Sequence, residues 1–236
     1  MTNQTPNILA IIPARAGSKR LTGKNTKILA GKPLVQWTIE AAMACPLINK
    51  VLVSTDDPQV LGIAKGLSCA APFTRPSHLA MDESSSIDVV KHAIEYMSSA
   101  GQNFDFVMLL QPTSPLRKHF HITEAIQRRN ELDANGIISV CQCEHTPLWS
   151  NTLPHGFSME GFVSPKILNK RSQDLPQYYR LNGAIYLLAI KSLYQENSFL
   201  TASKTYAYEM SADTSVDVDS ELDFRLAEIL LSMSQD

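Results

Sequence analysis

Short apolar runs alternate with helical patterns along the first half of this chain, and this alternation limits the folds open to it. Four runs rich in Ile, Leu and Val have the length and composition of buried strands: ILAII (8–12), VLVS (51–54), FVMLL (106–110) and GIISV (136–140). Helical patterns separate them: 33–44, 57–65, a segment after 82–86, and 119–130. This order predicts an α/β fold with a mostly parallel sheet and helices on both faces, whose ligands bind beyond the carboxyl ends of the strands.

One segment departs from this alternation. Residues 144–180 are rich in Pro, Gly, Asn, Gln and Tyr and show no clear period, which is typical of a protruding arm or lid. The chain has 236 residues, of which 44% are hydrophobic, enough to bury a core in one compact unit. We therefore predict a single domain over 1–236 with an inserted arm at about 144–180.

Charge and termini give expectations about partners and location. The formal net charge is −2, so nothing global predicts binding to nucleic acid or to an anionic membrane. The basic residues cluster in one loop without the interleaved aromatic residues of a single-strand binding face. The amino terminus, MTNQTPN, lacks the features of a signal peptide, and no run approaches the roughly 20 apolar residues of a membrane span. We expect a cytoplasmic protein.

The carboxyl-terminal segment DSELDFRLAEILLSM (219–233) has a helical pattern. Asp219 or Ser220 is the expected cap. The pattern places five apolar residues on one face: Leu222, Leu226, Ile229, Leu230 and Met233.

The loop that follows the first strand is strongly basic. In IIPARAGSKRLTGKN (11–25) it approaches a P-loop signature, but five residues separate Gly17 from Gly23, and Asn25 stands where Ser or Thr would hold Mg²⁺. The loop offers donors able to hold several phosphate oxygens at once: Arg15, Ser18, Lys19, Arg20, Lys24 and Asn25. A solvated basic turn is the alternative for the loop alone.

Two carboxylates lie near the other end of the chain. Asp217 and Asp219 follow a predicted strand, and residues at i and i+2 of an extended segment point the same way. Such a pair suits Mg²⁺, which binds through one or two carboxylates together with substrate phosphates. In the alternative, Asp219 only caps the last helix and Asp217 lies in solvent.

A third stretch, LLQPTSPLR (109–117), follows the strand at 106–110. Two prolines make a stiff turn, and Gln111 leaves the strand end with an amide that both donates and accepts hydrogen bonds. A neutral group of this kind suits a sugar or a base better than a bare phosphate. In the alternative the stretch is a rigid connection with Arg117 on its surface.

Together these stretches resemble the acylneuraminate cytidylyltransferases, also called CMP-sialic acid synthetases. The matching segments come in that family's order, from about Ile8 to Glu228: IPARAGSKRLTGKN, TRPSHLAMDESSSID, LLQPTSPLR, RLNGAIYL and SVDVDSELDF. The resemblance implies a Rossmann-like α/β nucleotidyltransferase fold with an irregular dimerisation arm that exchanges between the subunits of a homodimer. It also implies that CTP and a sialic-type nonulosonic acid are the substrates and Mg²⁺ the cofactor.

The resemblance also implies roles for individual residues. Arg15, Ser18, Lys24 and Asn25 would hold the CTP phosphates, and Arg75, Ser84 and Ser86 would contact cytidine. Gln111, Arg180, Asn182, Tyr186 and Phe199 would face the nine-carbon acid, while Asp217 and Asp219 would hold Mg²⁺. In the implied reaction the anomeric hydroxyl attacks the α-phosphorus of CTP, and Arg15, Lys24 and Mg²⁺ stabilise the leaving pyrophosphate. Asp219 or a metal-bound hydroxide would accept the proton.

Departures from the family's pattern lie on the sugar side. Trp149 stands where some sialic acid enzymes have Lys, and near Ser172 a basic contact is replaced or shifted to Arg171. The sequence therefore does not distinguish N-acetylneuraminic, legionaminic and pseudaminic acids as the substrate.

The sequence disfavours two rival functions. A 3-deoxy-manno-octulosonate cytidylyltransferase is disfavoured because the strand ends in Gln111-Pro112-Thr113 and not in Gln-Gly-Asp. A non-catalytic nucleotide-binding regulatory module is disfavoured because such a protein has little need for the aligned Asp217 and Asp219.

Overall fold

The computed structural model describes residues 6–18, 20–70, 73–81, 83–200 and 203–233. The strands are β1 Ile8–Pro13, β2 Ile28–Leu29, β3 Lys32–Pro33, β4 Lys50–Ser54, β5 Phe106–Leu109, β6 Gly136–Gln142, β7 Tyr179–Ala189 and β8 Thr205–Glu209. The helices are α1 Leu34–Met43, α2 Pro58–Gly66, α3 Ser86–Ser99, α4 His119–Leu132, α5 Ile190–Glu196 and α6 Glu221–Met233. The four strands and the first helices predicted from the sequence are confirmed to within a few residues at their ends.

Six strands form the central sheet in the order β4-β1-β5-β7-β6-β8. β1 is parallel to β4 and β5, and β6 is parallel to β8. β7 runs antiparallel to both of its neighbours, β5 and β6. The prediction of a mostly parallel sheet is therefore confirmed, with β7 as the reversed strand. β2 and β3 form a separate two-stranded antiparallel ribbon.

Helices cover both faces of this sheet, as predicted. Alternate residues of β1 point to opposite faces: Ile8, Ala10 and Ile12 join one core cluster, and Leu9 and Ile11 join another. The first cluster contains residues of α1, α2 and α4, and the second contains residues of α3 and α5. Because both faces are buried, the strand is apolar throughout and does not alternate.

Helix α6 packs through a different face from the one the sequence pattern suggested. Its buried residues are Phe224, Ala227 and Leu231, which join a third cluster with Leu29 and Val218. Of the five residues placed on one face, only Leu230 packs against this cluster, and four are exposed: Leu222, Leu226, Ile229 and Met233. The helix is apolar on more than one side, so periodicity alone does not identify the covered side.

Between β6 and β7 the chain is largely irregular. The helical content over 144–178 is limited to two short 3₁₀ turns, Pro147–Trp149 and Ser172–Asp174. Large apolar side chains of this segment are exposed, among them Phe157, Met159 and Leu168. Within the described parts of the chain, no helix combines the length and apolar character needed to cross a bilayer.

Candidate active site

A pocket of about 640 Å³ opens at the carboxyl ends of β1 and β5, where ligands of parallel α/β sheets bind. Its lining includes eleven residues proposed from the sequence: Arg15, Ser18, Arg20, Lys24, Asn25, Arg75, Ser84, Ser86, Gln111, Asp217 and Asp219. Further lining comes from Pro13, Leu21, Leu79, Met81, Val89, Pro112 and Thr113. The three stretches singled out in the sequence therefore meet in one place.

The first half of the basic loop is tied to the end of β4. Ala14 N donates to Ser54 O at 2.9 Å, and the Thr55 hydroxyl donates to Ala14 O. Ala16 N donates to Asp56 Oδ1 at 2.9 Å. Because β1 and β4 are parallel neighbours, their carboxyl ends meet, and the residues after β4 hold the backbone of the loop. Asp56 had no assigned role in the sequence analysis, although it directly follows a predicted strand and its position there was a usable signal.

The second half of the loop closes back on the first half. Gly23 has a φ of 64°, in the left-handed region, and begins the 3₁₀ turn Lys24–Thr26. Asn25 is buried, and its Nδ2 donates to Arg15 O at 2.9 Å. Asn25 therefore holds the two halves of the loop together, in the place where a P-loop would carry a metal-binding hydroxyl. Lys19 lies outside the described residues.

Lys24 reaches across the pocket to the acidic pair. Its Nζ lies 2.9 Å from Asp219 Oδ1 and donates to Val218 O at 3.0 Å. Arg20 Nη1 donates to the other carboxylate oxygen, Asp219 Oδ2, at 2.8 Å. The Lys24 side chain is only 13% exposed, whereas that of Arg20 is 78% exposed. A fully solvated basic turn is therefore excluded for Lys24.

Helix capping does not account for Asp219. Ser220 is the cap of α6: its Oγ accepts from Asp223 N at 3.3 Å, while Asp223 Oδ2 accepts from Ser220 N at 2.7 Å. Asp223 Oδ2 also accepts from Asp219 N at 3.1 Å. The carboxylate of Asp219 is left to face the pocket, Arg20 and Lys24.

Asp217 lies two residues before Asp219 on a segment without regular secondary structure, and both side chains line the pocket. Val218 N donates to Thr113 O at 2.8 Å, which fixes this segment against the turn after β5. Loss of water around its carboxyl raises the pKa of Asp217 above its ordinary value, and the nearby charge of Asp219 adds to this effect. Lys24 and a hydrogen bond with Thr113 act in the opposite direction.

The donor set suits a cation that is shared with a substrate. No group of three or more acidic, His or Cys side chains able to hold a metal occurs among the described residues. Asp217 and Asp219 supply two carboxylates, and Mg²⁺ typically takes one or two carboxylates together with phosphate oxygens and water. This pair therefore fits a metal ion that arrives with a phosphate ligand better than an all-protein metal site.

The opposite wall of the pocket carries a buried guanidinium and a helix terminus. Arg75 is buried and donates to Ser54 Oγ at 3.1 Å and to Ser54 O. Burial lowers the pKa of Arg75 to about 10, a shift that Asp56 opposes and Arg15 increases. Ser86 begins α3, whose positive N-terminal end faces this wall and favours negative charge there. Ser84 Oγ donates to His78 O at 2.9 Å.

On the proposed sugar side, only Gln111 lines the pocket. Asn182 is buried, with its amide donating to Ser215 Oγ at 2.9 Å and accepting from Ser139 Oγ at 2.6 Å. Phe199 is buried against Tyr186, with ring centroids 5.6 Å apart. Burial raises the pKa of Tyr186, and the charge of Asp217 adds to this effect.

Arg180 and Arg117 lie outside the pocket lining. Arg180 is exposed at the beginning of β7, next to the arm, and does not line the pocket. Arg117 was placed on the surface in one of the alternatives above, but its residual exposure is 1%. That alternative is wrong, because Arg117 Nη1 is enclosed between the carbonyl oxygens of Gln111 and Ala184.

Comparison with known proteins gives consistent similarities. The family model described as Cytidylyltransferase matches residues 9–217. A CMP-N,N'-diacetyllegionaminic acid synthase from Legionella pneumophila is 36% identical over 235 residues, covering 97% of this chain and 98% of that protein. An N-acylneuraminate cytidylyltransferase from Streptococcus agalactiae is 37% identical over 221 residues, which are 92% of this chain but 51% of that longer protein.

Among solved structures, a CMP:2-keto-3-deoxy-manno-octonic acid synthetase complexed with CTP superposes with a TM-score of 0.69. The alignment covers 97% of this chain and 99% of that one at 19% identity. This similarity supports the fold, which is the nucleotidyltransferase type expected from the sequence.

Proposed function

This chain belongs to the cytidylyltransferase family, and we propose on that premise that it activates a nonulosonic acid with CTP, giving the CMP-sugar and pyrophosphate. The anomeric oxygen of the acid forms a bond to the α-phosphorus of CTP. The bond from that phosphorus to the pyrophosphate oxygen breaks, and the hydroxyl proton passes to a base in the pocket. Negative charge grows on the departing oxygens, so fixed positive charge lowers the barrier.

The main support for this proposal is the contact between Lys24 and Asp219 in one pocket. A cationic loop at the end of β1 supplies Arg15 and Lys24 for the phosphate oxygens. The acidic pair on the opposite side supplies oxygen ligands and a proton acceptor. A module that only bound nucleotide would gain nothing from a carboxylate placed against its phosphate-binding lysine.

Asp219 is the proposed general base. When phosphate oxygens occupy Lys24 and Arg20, the bonds that these cations make with the two carboxylate oxygens of Asp219 are replaced. With two oxygens released, Asp219 would share in holding Mg²⁺ and still accept the hydroxyl proton. The Asp217 carboxylate lines the same pocket. In this account Arg15 and Lys24 hold the triphosphate, while Ser18 and Asn25 add uncharged donors to the same loop.

Mg²⁺ is the proposed cofactor, with Asp217 and Asp219 as its protein ligands. When bound, it would neutralise charge on the phosphates and polarise the phosphorus that is attacked. The remaining steps belong to the protein: Lys24 orients the phosphates, Arg75 and the start of α3 hold the nucleoside side, and Gln111 contacts the sugar acid.

The substrate class is tested by CTP-dependent release of pyrophosphate with a panel of acids. The panel contains N-acetylneuraminic, legionaminic and pseudaminic acids, with 3-deoxy-manno-octulosonate as the runner-up. The proposal expects turnover of at least one nonulosonic acid. Turnover of the octulosonate alone would overturn the choice of substrate, and no CTP use with any acid would overturn the function itself.

We also propose a homodimer built through the arm over 144–180. The exposed Phe157, Met159 and Leu168 of this segment support it, because large apolar side chains clustered on an irregular segment favour burial against a partner. The proposed sugar-side residue Arg180 lies at the base of the same arm. A second copy would therefore approach the pocket from the sugar side. A cytoplasmic location is proposed with the function, since CTP is a cytoplasmic nucleotide.

A further inference from the structure

The ladder between β6 and β7 is irregular beside the pocket. Ile138 pairs with Tyr186 and Val140 pairs with Leu181, so β7 has more residues than β6 across this step. Between these two pairs β6 has one residue, Ser139, and β7 has four, 182–185, which we call the β7 bulge. Bulges in sheets bend a strand and re-aim side chains, and they are common next to active sites.

Three buried polar side chains hold the β7 bulge. Ala184 O accepts from Arg117 Nη1 at 2.8 Å, and Ala184 N donates to Asn182 Oδ1 at 3.2 Å. Ile185 N donates to Ser139 Oγ at 2.7 Å. Irregular backbone inside a core needs such partners, because water cannot reach it. The β7 bulge is therefore a fixed feature of the structure.

Arg117 connects this bulge to the end of β5. The same Nη1 that donates to Ala184 O also donates to Gln111 O at 3.2 Å. Its Nε and Nη2 have no hydrogen-bond partner, and no carboxylate forms an ion pair with it among the residues described. Burial lowers the pKa of Arg117 to about 9. Burying a guanidinium without a counter-ion costs folding free energy. We attribute the presence of Arg117 here to the link it makes between the end of β5 and β7.

Gly183 makes the second contact with Gln111. Its φ is 76°, and a Cβ placed on it would lie 2.7 Å from Gln111 Oε1. Real Cβ atoms essentially never come that close to another heavy atom. The Gln111 side chain therefore packs directly on the backbone of the β7 bulge, in space that any other residue at 183 would fill.

We infer that Arg117 and Gly183 are positioning residues that fix the backbone and the side-chain amide of Gln111, and thereby set which sugar acid the pocket accepts. Arg117 fixes the carbonyl of Gln111, and Gly183 leaves room for its amide. Neither residue lines the pocket, so both act through Gln111. The step from Gln111 to the sugar acid rests on the proposed function, whereas the step from Arg117 and Gly183 to Gln111 does not.

The first test needs no substrate. In Gly183→Ala the added Cβ displaces the Gln111 amide, so its side-chain NH₂ signals in a ¹H–¹⁵N spectrum, assigned by their loss in Gln111→Ala, should move. Gly101→Ala is the matched control: Gly101 also has a φ of 76°, but a Cβ there meets nothing within 4 Å. Unmoved Gln111 signals in Gly183→Ala would overturn the inference, whatever the protein's substrate.

The second test uses the reaction. We expect Gly183→Ala to raise KM for the sugar acid by about tenfold, the effect of one lost hydrogen bond to a polar group, with KM for CTP unchanged. Gly101→Ala should match wild type in both constants. In a Gln111→Ala background the Gly183→Ala effect should vanish, because both changes remove the same contact. Equal rises in both KM values, or additive effects, would overturn the assignment.

Arg117→Met gives an independent variant, because Met fills much of the same buried space without the charge. It should remain folded and show the same selective rise in KM for the acid, again absent in the Gln111→Ala background. If wild type uses no acid at all, the proposed function fails, and the spectra of the Gly183 and Gly101 variants still decide whether Gln111 is positioned in this way.

Discussion

Lys24 and Asp219 are 195 positions apart in the chain and are joined by a bond of 2.9 Å between Nζ and Oδ1. The parallel sheet brings the loop after β1 to the pocket edge, and the contact of Val218 N with Thr113 O brings the acidic segment to the same edge. The opposite charges of the two side chains thus neutralise each other. In the proposed function, phosphate oxygens of the substrate replace Asp219 at Lys24.

Lys24→Ala is expected to lower kcat/KM for CTP by roughly 10² to 10³, because a preorganised cation at the departing phosphates is lost. Pyrophosphate release and CTP binding by calorimetry would measure the effect. Lys27→Ala is the control, since Lys27 also pairs with an acidic residue, Glu221, but does not line the pocket. Equal losses in the two variants would show that general charge, and not Lys24, matters.

Asp217→Asn is expected to raise the Mg²⁺ concentration needed for half-maximal rate by roughly tenfold or more, since an amide is a weaker metal ligand than a carboxylate. The measurement is a Mg²⁺ titration of initial rate at saturating CTP. Asp213→Asn, in a turn of the same acidic segment and outside the pocket, should leave the titration unchanged. An unchanged titration in Asp217→Asn would remove that residue from the metal site.

Protonation of His121 should destabilise the fold below pH 6.5. His121 is buried, and its Nδ1 accepts from Lys118 N at 3.0 Å, so the neutral ring is required at the start of α4. Burial lowers its pKa to about 4; Arg117 and Lys118 lower it further, while Glu124 and Asp213 oppose the shift. A lowered folded-state pKa contributes stability above the unfolded value, and this contribution is lost as pH falls from 6.5 towards 4.

Denaturant unfolding at pH 7.5 and pH 4.5 would measure this effect. The share of His121 in the loss is on the order of 3 kcal/mol at most, from the size of its pKa shift. His121→Gln keeps an acceptor that does not titrate, so its stability should fall less over the same range. Identical pH profiles for wild type and His121→Gln would show that other groups cause the loss.

Replacing both Phe157 and Met159 by Asp is expected to shift the protein from dimer to monomer in sedimentation equilibrium, because charges cannot be buried at a subunit contact without partners. The control places the same charges on another exposed apolar surface, Leu222 and Leu226 of α6. Leu222 is 78% exposed and Phe157 is 77% exposed, so the first residues of the two pairs are matched, while Leu226 is 45% and Met159 is 62% exposed. If only the α6 variant became a monomer, the subunit interface would lie on α6 and not on the arm.

The sequence was sufficient for four strands of the sheet, those at 8–12, 51–54, 106–110 and 136–140, and for the two charged walls of the pocket. Fully apolar runs such as that of β1 identify strands buried on both faces, and the rule that ligands bind beyond strand ends places the basic loop correctly. Asp219 was identified through its spacing from Asp217 in an extended segment. These signals are local, so each could be recognised without knowing the rest of the structure.

Other features depend on contacts between distant segments. PTSPLR suggests a surface turn, but Arg117 is buried because β7 returns antiparallel beside β5 and provides Ala184 O. Asn182 was expected to face the sugar acid, and its amide instead lies in a buried network with Ser139 and Ser215. Its contact with substrate stays a prediction. No local pattern encodes the strand reversal that creates these environments.

Transfer of the cytidylyl group to the sugar acid can be followed by ³¹P NMR of CTP incubated with the protein, Mg²⁺ and each nonulosonic acid of the panel. Attack on the α-phosphorus predicts that every CTP consumed yields one pyrophosphate and one new phosphodiester signal of a CMP-sugar. It also predicts that both signals appear roughly 10² to 10³ times more slowly with Lys24→Ala. Formation of CDP and phosphate, or no consumption of CTP with any acid, would contradict the account.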